Sequence, residues 1–571
     1  MVFARFGVHR LVGLALLISL FLVGLVAPAQ AATPPAGSQW SQAWITTADN
    51  ERLHADILRP VGYNTDQKTP VILVVSPYIG ESGGPDPRFN DFFEGAKVFE
   101  RGYSVVLVSL RGTGGSSGCL DILGPGEQLD VVNSVEWAAS QPWSTGKVGM
   151  YGKSYDANTG IIGAALEPAG LSAVVAQQIA PDRYRGSYND RVRLFQSLAY
   201  PSATYGTQAE GQVGTANDPE YLSNSLAHSA DCQVGLRDHY FDDENSTFWR
   251  VRDFVDRAKA NQSVVPTFIT TGYLDVPTNI GAGAVDFYNA LSGPKKLWVG
   301  WYDHVRGNDM VGNRLAMGRP GFFDEVMRFY DQHLKGIVPT VVDPVIAAQG
   351  SDGTWRNEAA FPPVDAVSLQ SSLLSGSYVD DGRNEGSNDS VFGPGGTGVN
   401  PGGAKLGDGT WTVSPPLAHE AHIAGIPTAR VQVTPQAPRT NLVVNVYDID
   451  GAGKATLISR GAGLVDDAAT KSLTLWPTDW TFEPGHRVGV LVTGANAEAY
   501  THVPTQTRAT VVGGSIDLPF LTFERTSDLV GASAPRLESY RRDAPFAVPS
   551  GTLTARVNPG FRLPPPMVPR P

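Results

Sequence analysis

The chain has 571 residues, of which 42% are hydrophobic, 18% charged and 9% aromatic, and its formal charge is −12 at pH 7. A single core stops growing at roughly 250–300 residues, so at least two domains are expected, and the apolar content excludes wholesale disorder. An acidic chain without a Lys/Arg cluster has no field for collecting phosphate backbones, so no nucleic-acid partner is expected.

Arg5 and Arg10 precede an apolar run from Leu11 to Val26, which ends in Ala27, Pro28, Ala29, Gln30 and Ala31. A basic start, about sixteen apolar residues and a small-x-small close predict a signal peptide over residues 1–31, cleaved after Ala31. The competing reading is an uncleaved membrane anchor. No second long apolar stretch follows, so the expectation is a secreted or extracytoplasmic protein with no stable membrane span after signal cleavage.

Trp44 to Pro60 predicts a strand pair around a turn at Asp49 and Asn50, and Val71 to Ser76 and Val105 to Leu110 predict buried strands. Helical patterns over Phe92 to Arg101 and Gly126 to Gln141, then a strand from Val148 to Tyr151, complete an alternation that implies a parallel sheet. From about Asp182 to Gln262 the alternation stops. That segment is polar, aromatic and helical in tone, including Phe248 to Ala260, and reads as an insertion over the sheet. Strand and helix resume with Thr267 to Thr271, Ala284 to Leu291, Lys296 to Val299 and Phe322 to Leu334. Beyond about Pro339, short alternating runs such as Arg430 to Val433, Leu442 to Tyr447 and Val488 to Val492 are separated by turn residues and predict an all-β sandwich. A long surface loop is expected from Asp380 to Asp408. The predicted organisation is therefore a doubly wound α/β domain in two parts, 32–182 and 263–338, interrupted by the insertion at 183–262 and followed by a β domain at 339–571.

Tyr151, Gly152, Lys153, Ser154, Tyr155, Asp156 and Ala157 follow a buried strand and enter a small-residue helix, the setting of a nucleophile elbow. Gly152 is needed because a side chain two residues before the nucleophile would strike the adjacent backbone. Against G-x-S-x-G, the final Gly is Asp156, so a plain strand-to-helix turn is the alternative. A serine hydroxyl needs a His to take its proton and an acid to orient that His, in the chain order Ser, acid, His for this layout. Asp275 and His304 each follow a predicted strand, where both reach the carboxyl edge of the sheet. Asp303 is a rival acid, but adjacency to His304 makes the geometry difficult. The other histidines fit less well: His54 lies on the early strand pair, His228 and His239 in the insertion, His333 at a helix end, and His419, His422, His486 and His502 in the β domain. Donors for a developing oxyanion are expected from the Tyr155 N–H and the Tyr78 hydroxyl. There is no H-E-x-x-H, no paired Cys spacing and no P-loop Lys in Gly112 to Gly118, so neither a metal nor a cofactor is expected.

These residues resemble the cocaine esterase and X-Pro dipeptidyl-peptidase (CocE/NonD) family over nearly the whole mature chain. The family elbow G-x-S-Y-x-G is matched by Gly152, Ser154 and Tyr155, with Ala157 in place of the last Gly. Pro77 and Tyr78 resemble its oxyanion element and Arg111 to Gly118 its R-G-x-G-x-S-x-G run. Gly272 to Asp275 resembles its G-W-x-D acid motif, with Tyr273 for Trp, and Trp301 to Gly307 a blurred form of its histidine segment. The resemblance implies an α/β-hydrolase sheet, a helical cap at 183–262 with Phe248, Trp249 and Arg252 in a family-like segment, and a C-terminal jelly roll. In that jelly roll, Asp448 to Gly451 and Gly485 to Arg487 are recurring phrases, which makes His486 structural.

Cys119 and Cys232 are the only cysteines. In an exported chain they are expected to form one disulfide tying a loop to the cap, two buried thiols being the alternative. The expected activity is hydrolysis of a small-molecule acyl ester or amide, with a short peptide as a further substrate class. Two alternatives stand beside it: an X-Pro dipeptidyl-peptidase and a non-catalytic exported binding protein on a hydrolase shell. X-Pro peptidases of the family often carry an additional N-terminal helical domain, whereas here the strand pair begins shortly after the signal peptide, which favours the esterase-like form.

Overall fold

The computed structural model describes residues 34–79, 87–195, 197, 232, 237–276, 278–381, 409–496 and 498–570. The expected signal peptide, about half of the insertion and nearly all of the loop from 380 to 408 lie outside the described residues.

The apolar runs pair into one ten-stranded sheet. Its strands are β1 (Ser38–Thr46), β2 (Arg52–Pro60), β3 (Thr69–Ser76), β4 (Ser104–Ser109), β5 (Ser144–Lys153) and β6 (Leu171–Gln177), then β7 (Thr267–Gly272), β8 (Lys295–Gly300), β9 (Ile346–Gln349) and β10 (Trp355–Glu358). The spatial order is β1-β2-β4-β3-β5-β6-β7-β8-β9-β10. The pairings from β4 through β9 are parallel, while β1, β2 and β10 join antiparallel. Every residue of β3 and β4 is buried, as strands covered on both faces require.

Helices lie on both faces, as adjacent residues of β5 show. The main helices are α1 (Asn90–Gly95), α2 (Pro125–Ser140), α3 (Tyr155–Leu166), α4 (Phe254–Asn261), α5 (Ala284–Ala290) and α6 (Phe322–Lys335). Gly149 faces Tyr330 and Leu334 of α6, whereas the sulfur of Met150 faces Gly163 of α3. Successive strand residues point to opposite faces, so α3 and α6 cover opposite sides. The chain therefore has the α/β-hydrolase fold.

Three expectations need correction. Phe248 to Ala260 is not one helix: Thr247–Arg250 and α4 are separate, because the Ser246 and Asp253 side chains each cap a new N-terminus. The second of these belongs to the helical layer of the sheet, with Asn261 donating to the Ala165 carbonyl at 2.8 Å. The β domain does not begin at 339, since β9 and β10 extend the hydrolase sheet through Glu358. Each has only four residues, too short a period to read as a strand.

Among the described residues, those after Glu358 form a separate, mainly β domain of two sheets, one of seven strands and one of five. The long strand Thr507–Leu521 pairs with four others in the first sheet, and Thr440–Ile449 lies between Lys454–Val465 and Arg487–Thr493 in the second. No helix among the described residues is long and apolar enough to cross a membrane.

Candidate active site

Ser154 sits between β5 and α3 with φ 66° and ψ −121°. A non-glycine residue there stores roughly 1–3 kcal/mol of backbone strain, which the surroundings must hold. They do so from three sides. The Ser154 N–H donates to the Gln177 carbonyl at 2.9 Å, and its own carbonyl accepts the Asn158 N–H at 3.0 Å and the Asn158 Nδ2 at 2.9 Å. A Cβ on Gly152 would lie 2.3 Å from the Asp156 carbonyl carbon, so only glycine fits the turn.

Asp156, which departs from the simple elbow pattern, is a fully buried tie. Its carboxylate accepts from the Ser76 hydroxyl at the end of β3 and from Arg88 Nη2 at 3.2 Å. Ser76 Oγ in turn accepts the Tyr78 N–H at 3.0 Å, and the Arg88 guanidinium lies 4.2 Å from the centroid of the Tyr78 ring. Burial raises the Asp156 carboxyl above its ordinary value, against the Arg88 charge and the Ser76 bond. The elbow and the loop after β3 are thus fastened together, and the Tyr78 and Tyr155 rings meet edge to face at 6.2 Å. The Tyr155 hydroxyl donates to buried Glu127 on α2 at 2.7 Å. That fixes the residue whose N–H stands first in α3.

Asp275 and His304 are brought together. With the proton on Nδ1, His304 donates to the two Asp275 oxygens at 3.0 and 3.1 Å, leaving Nε2 as the free base position. Thr278 adds its hydroxyl at 2.6 Å and its N–H at 3.2 Å. Burial pushes the Asp275 carboxyl up, but the His304 imidazole and these bonds outweigh it and hold it below the usual range. Gly272 makes the approach possible, since a Cβ there would lie 2.2 Å from the Tyr302 carbonyl oxygen. Asp303, the rival acid, faces Arg536 at 3.8 Å instead.

His–Asp contact alone would not single out this pair. His422 meets Asp479 at 2.7 Å, His486 meets Asp448 at 2.8 Å and His502 meets Asp380 at 2.5 Å, all in the β domain. Position decides, because Asp275 and His304 follow β7 and β8 at the same sheet edge as the elbow. His54 and His239 are buried against Gln42 and the Ser197 carbonyl, and His333 packs on Phe329. His228 lies outside the described residues.

The β domain also supports this edge. Trp301, three residues before His304, donates Nε1–H to the Asp479 carbonyl at 2.8 Å and packs against Trp480 and Tyr273, with ring centroids 5.0 and 4.9 Å away. On the other side, the structure joins Cys119, after β4, to Cys232 with their Cα atoms 5.3 Å apart. This disulfide closes a separation of 113 residues, worth roughly 4–5 kcal/mol in a chain-entropy account. Arg252 adds a second tie between the same parts, donating to the carbonyls of Asp121 at 2.7 Å and Ile122 at 2.9 Å.

Fold and site define a serine hydrolase on an α/β-hydrolase sheet. The profile of the X-Pro dipeptidyl-peptidase (S15 family) matches residues 49–306, and that of the X-Pro dipeptidyl-peptidase C-terminal non-catalytic domain matches residues 342–531. A Bacillus anthracis protein provisionally named Xaa-Pro dipeptidyl-peptidase is 24% identical over 543 residues, covering 82% of this chain and 84% of its own. Cocaine esterase of Rhodococcus sp. is 29% identical over 154 residues, 26% of this chain and 25% of that one. A CocE/NonD family hydrolase from Staphylococcus aureus shares the fold with a TM-score of 0.62 at 16% identity, over 87% of this chain and 99% of that one. The chain belongs to this X-Pro dipeptidyl-peptidase and cocaine-esterase-like family, CocE/NonD, of α/β-hydrolases.

Proposed function

We propose that the protein is an exported hydrolase that cleaves an ester or amide through an acyl-enzyme on Ser154. The observation that carries this reading is the His304 Nδ1 bond to an ionised Asp275 at the sheet edge where Ser154 is held at φ 66°. His304 Nε2 takes the Ser154 Oγ proton as Oγ bonds the substrate carbonyl carbon, and returns it to the departing alcohol or amine as the bond between that group and the carbonyl carbon breaks. The Tyr155 N–H and the Tyr78 hydroxyl stabilise the oxyanion, and water then attacks the acyl group with the same base. Export rests on the residues 1–31, with Ala32 as the mature N-terminus.

The X-Pro dipeptidyl reading is the second candidate, favoured by the S15 profile over 49–306. Length no longer separates the two, because a relative of nearly the same extent carries the dipeptidyl-peptidase name. A panel of nitrophenyl esters beside Gly-Pro and Ala-Pro anilides decides between them. The esterase reading predicts turnover of esters and little of anilides. A kcat/KM on the Pro anilides equal to or above that on the esters would establish the dipeptidyl reading, and turnover of neither would contradict both. The protein collected from the medium of an expressing host is expected to begin at Ala32; retention in the membrane with Met1 intact would overturn export.

A further inference from the structure

Strand β6 carries chemistry of its own, because it lies between the strand of Ser154 and the strand of Asp275. Its last residue, Gln177, pairs with Lys153 of β5 on one side and Thr270 of β7 on the other. The next residue, Gln178, has φ 58° and donates its N–H to the Thr270 carbonyl at 2.8 Å. Both glutamines are fully buried, at 0% exposure.

Their side chains grip the main chain that follows His304. Gln177 Oε1 accepts the Gly307 N–H at 2.9 Å, and Gln178 Nε2 donates to the Val305 carbonyl at 3.1 Å. Gly307 is pressed so closely on Phe322 that a Cβ would lie 2.1 Å from its ring. The loop therefore has one seat, and the two amides set its height above the sheet. Gln177 does this while its own carbonyl accepts the Ser154 N–H at 2.9 Å. One residue thus touches the elbow through its backbone and the histidine loop through its side chain.

We propose that Gln177 is a positioning residue, coupling the Ser154 elbow to the His304 loop, with Gln178 as its partner on the same loop. The proposal rests on the reading of Ser154 and His304 given above. Misplacement of a base by a fraction of an ångström costs rate without costing substrate affinity. Gln177→Met keeps the backbone carbonyl and the side-chain length but removes the acceptor for Gly307.

The test is a double-mutant cycle on the best substrate of the panel. In the otherwise native protein, Gln177→Met is expected to lower kcat by about 10–100-fold with KM changed less than about threefold. In a His304→Ala background the same substitution is expected to change the residual rate less than about twofold, because the residue acts through His304. Gln177→Glu keeps an acceptor oxygen and is expected to recover most of the loss. Native kcat in Gln177→Met, or an equal fold-loss in both backgrounds, would overturn the proposal. If Gln177→Met does not fold, as judged by circular dichroism, Gln178→Met carries the same cycle with the same criteria. A His304→Ala protein with the native rate would instead refute the assignment of His304, which keeps the two failures distinct.

Discussion

Ser154→Ala is expected to lower kcat by about 10⁶-fold, the scale on which loss of a serine nucleophile falls when its base is left in place. The substitution removes the oxygen that forms the acyl bond and little else. Its Cβ stays at φ 66°, so the elbow strain persists, as do the bonds from the Ser154 N–H to Gln177 and from Asn158 to the Ser154 carbonyl. Thermal stability should therefore remain within about 0.5 kcal/mol of the parent, as for a substitution that opens no cavity and breaks no buried hydrogen bond. Steady-state kinetics with a melting curve on the same sample checks both parts. A loss below about 10²-fold would exclude Ser154 as the residue that carries the acyl group.

Asp275→Asn is expected to cost about 10⁴-fold in kcat, with the fold intact. The carboxylate now accepts from His304 Nδ1 and from Thr278, so an amide in its place presents a donor to the imidazole and favours the tautomer whose Nε2 already carries a proton. That tautomer cannot take the Ser154 proton. The pH dependence of stability has a definite sign. Burial raises the Asp275 carboxyl, but His304 and the hydrogen bonds bring it below the usual value of about 3.9. A group depressed in the folded state contributes stability that is present above its unfolded value and is lost as pH falls through its folded value. The melting-temperature gap between parent and Asp275→Asn should therefore be widest near neutrality and close below about pH 4. A gap that widens on acidification would contradict the ionised assignment.

Much of the hydrolase sheet was legible because its strands are buried on both faces and read as unbroken apolar runs, as Val71 to Ser76 does. Ser154, Asp275 and His304 stand out as candidates because each follows such a run, at the edge where parallel sheets present functional groups. Strand β6 was missed because Ser172, Ala173 and Ala176 dilute its apolar signal, and with it went Gln177 and Gln178. No local pattern announces a glutamine whose partner lies 130 positions away. In the sequence Asp156 is a mere departure from a motif, whereas its meaning is a bond to Ser76, 80 residues earlier. The support of the histidine loop by Asp479 and Trp480 was invisible for the same reason, since it crosses from one domain to another.

The most direct measurement is covalent labelling of the native protein with a fluorophosphonate, followed by intact mass and peptide mapping. One adduct per chain, located on Ser154 and formed in step with loss of activity, is the predicted result. An adduct on any other residue, or complete inactivation with Ser154 unmodified, would contradict it.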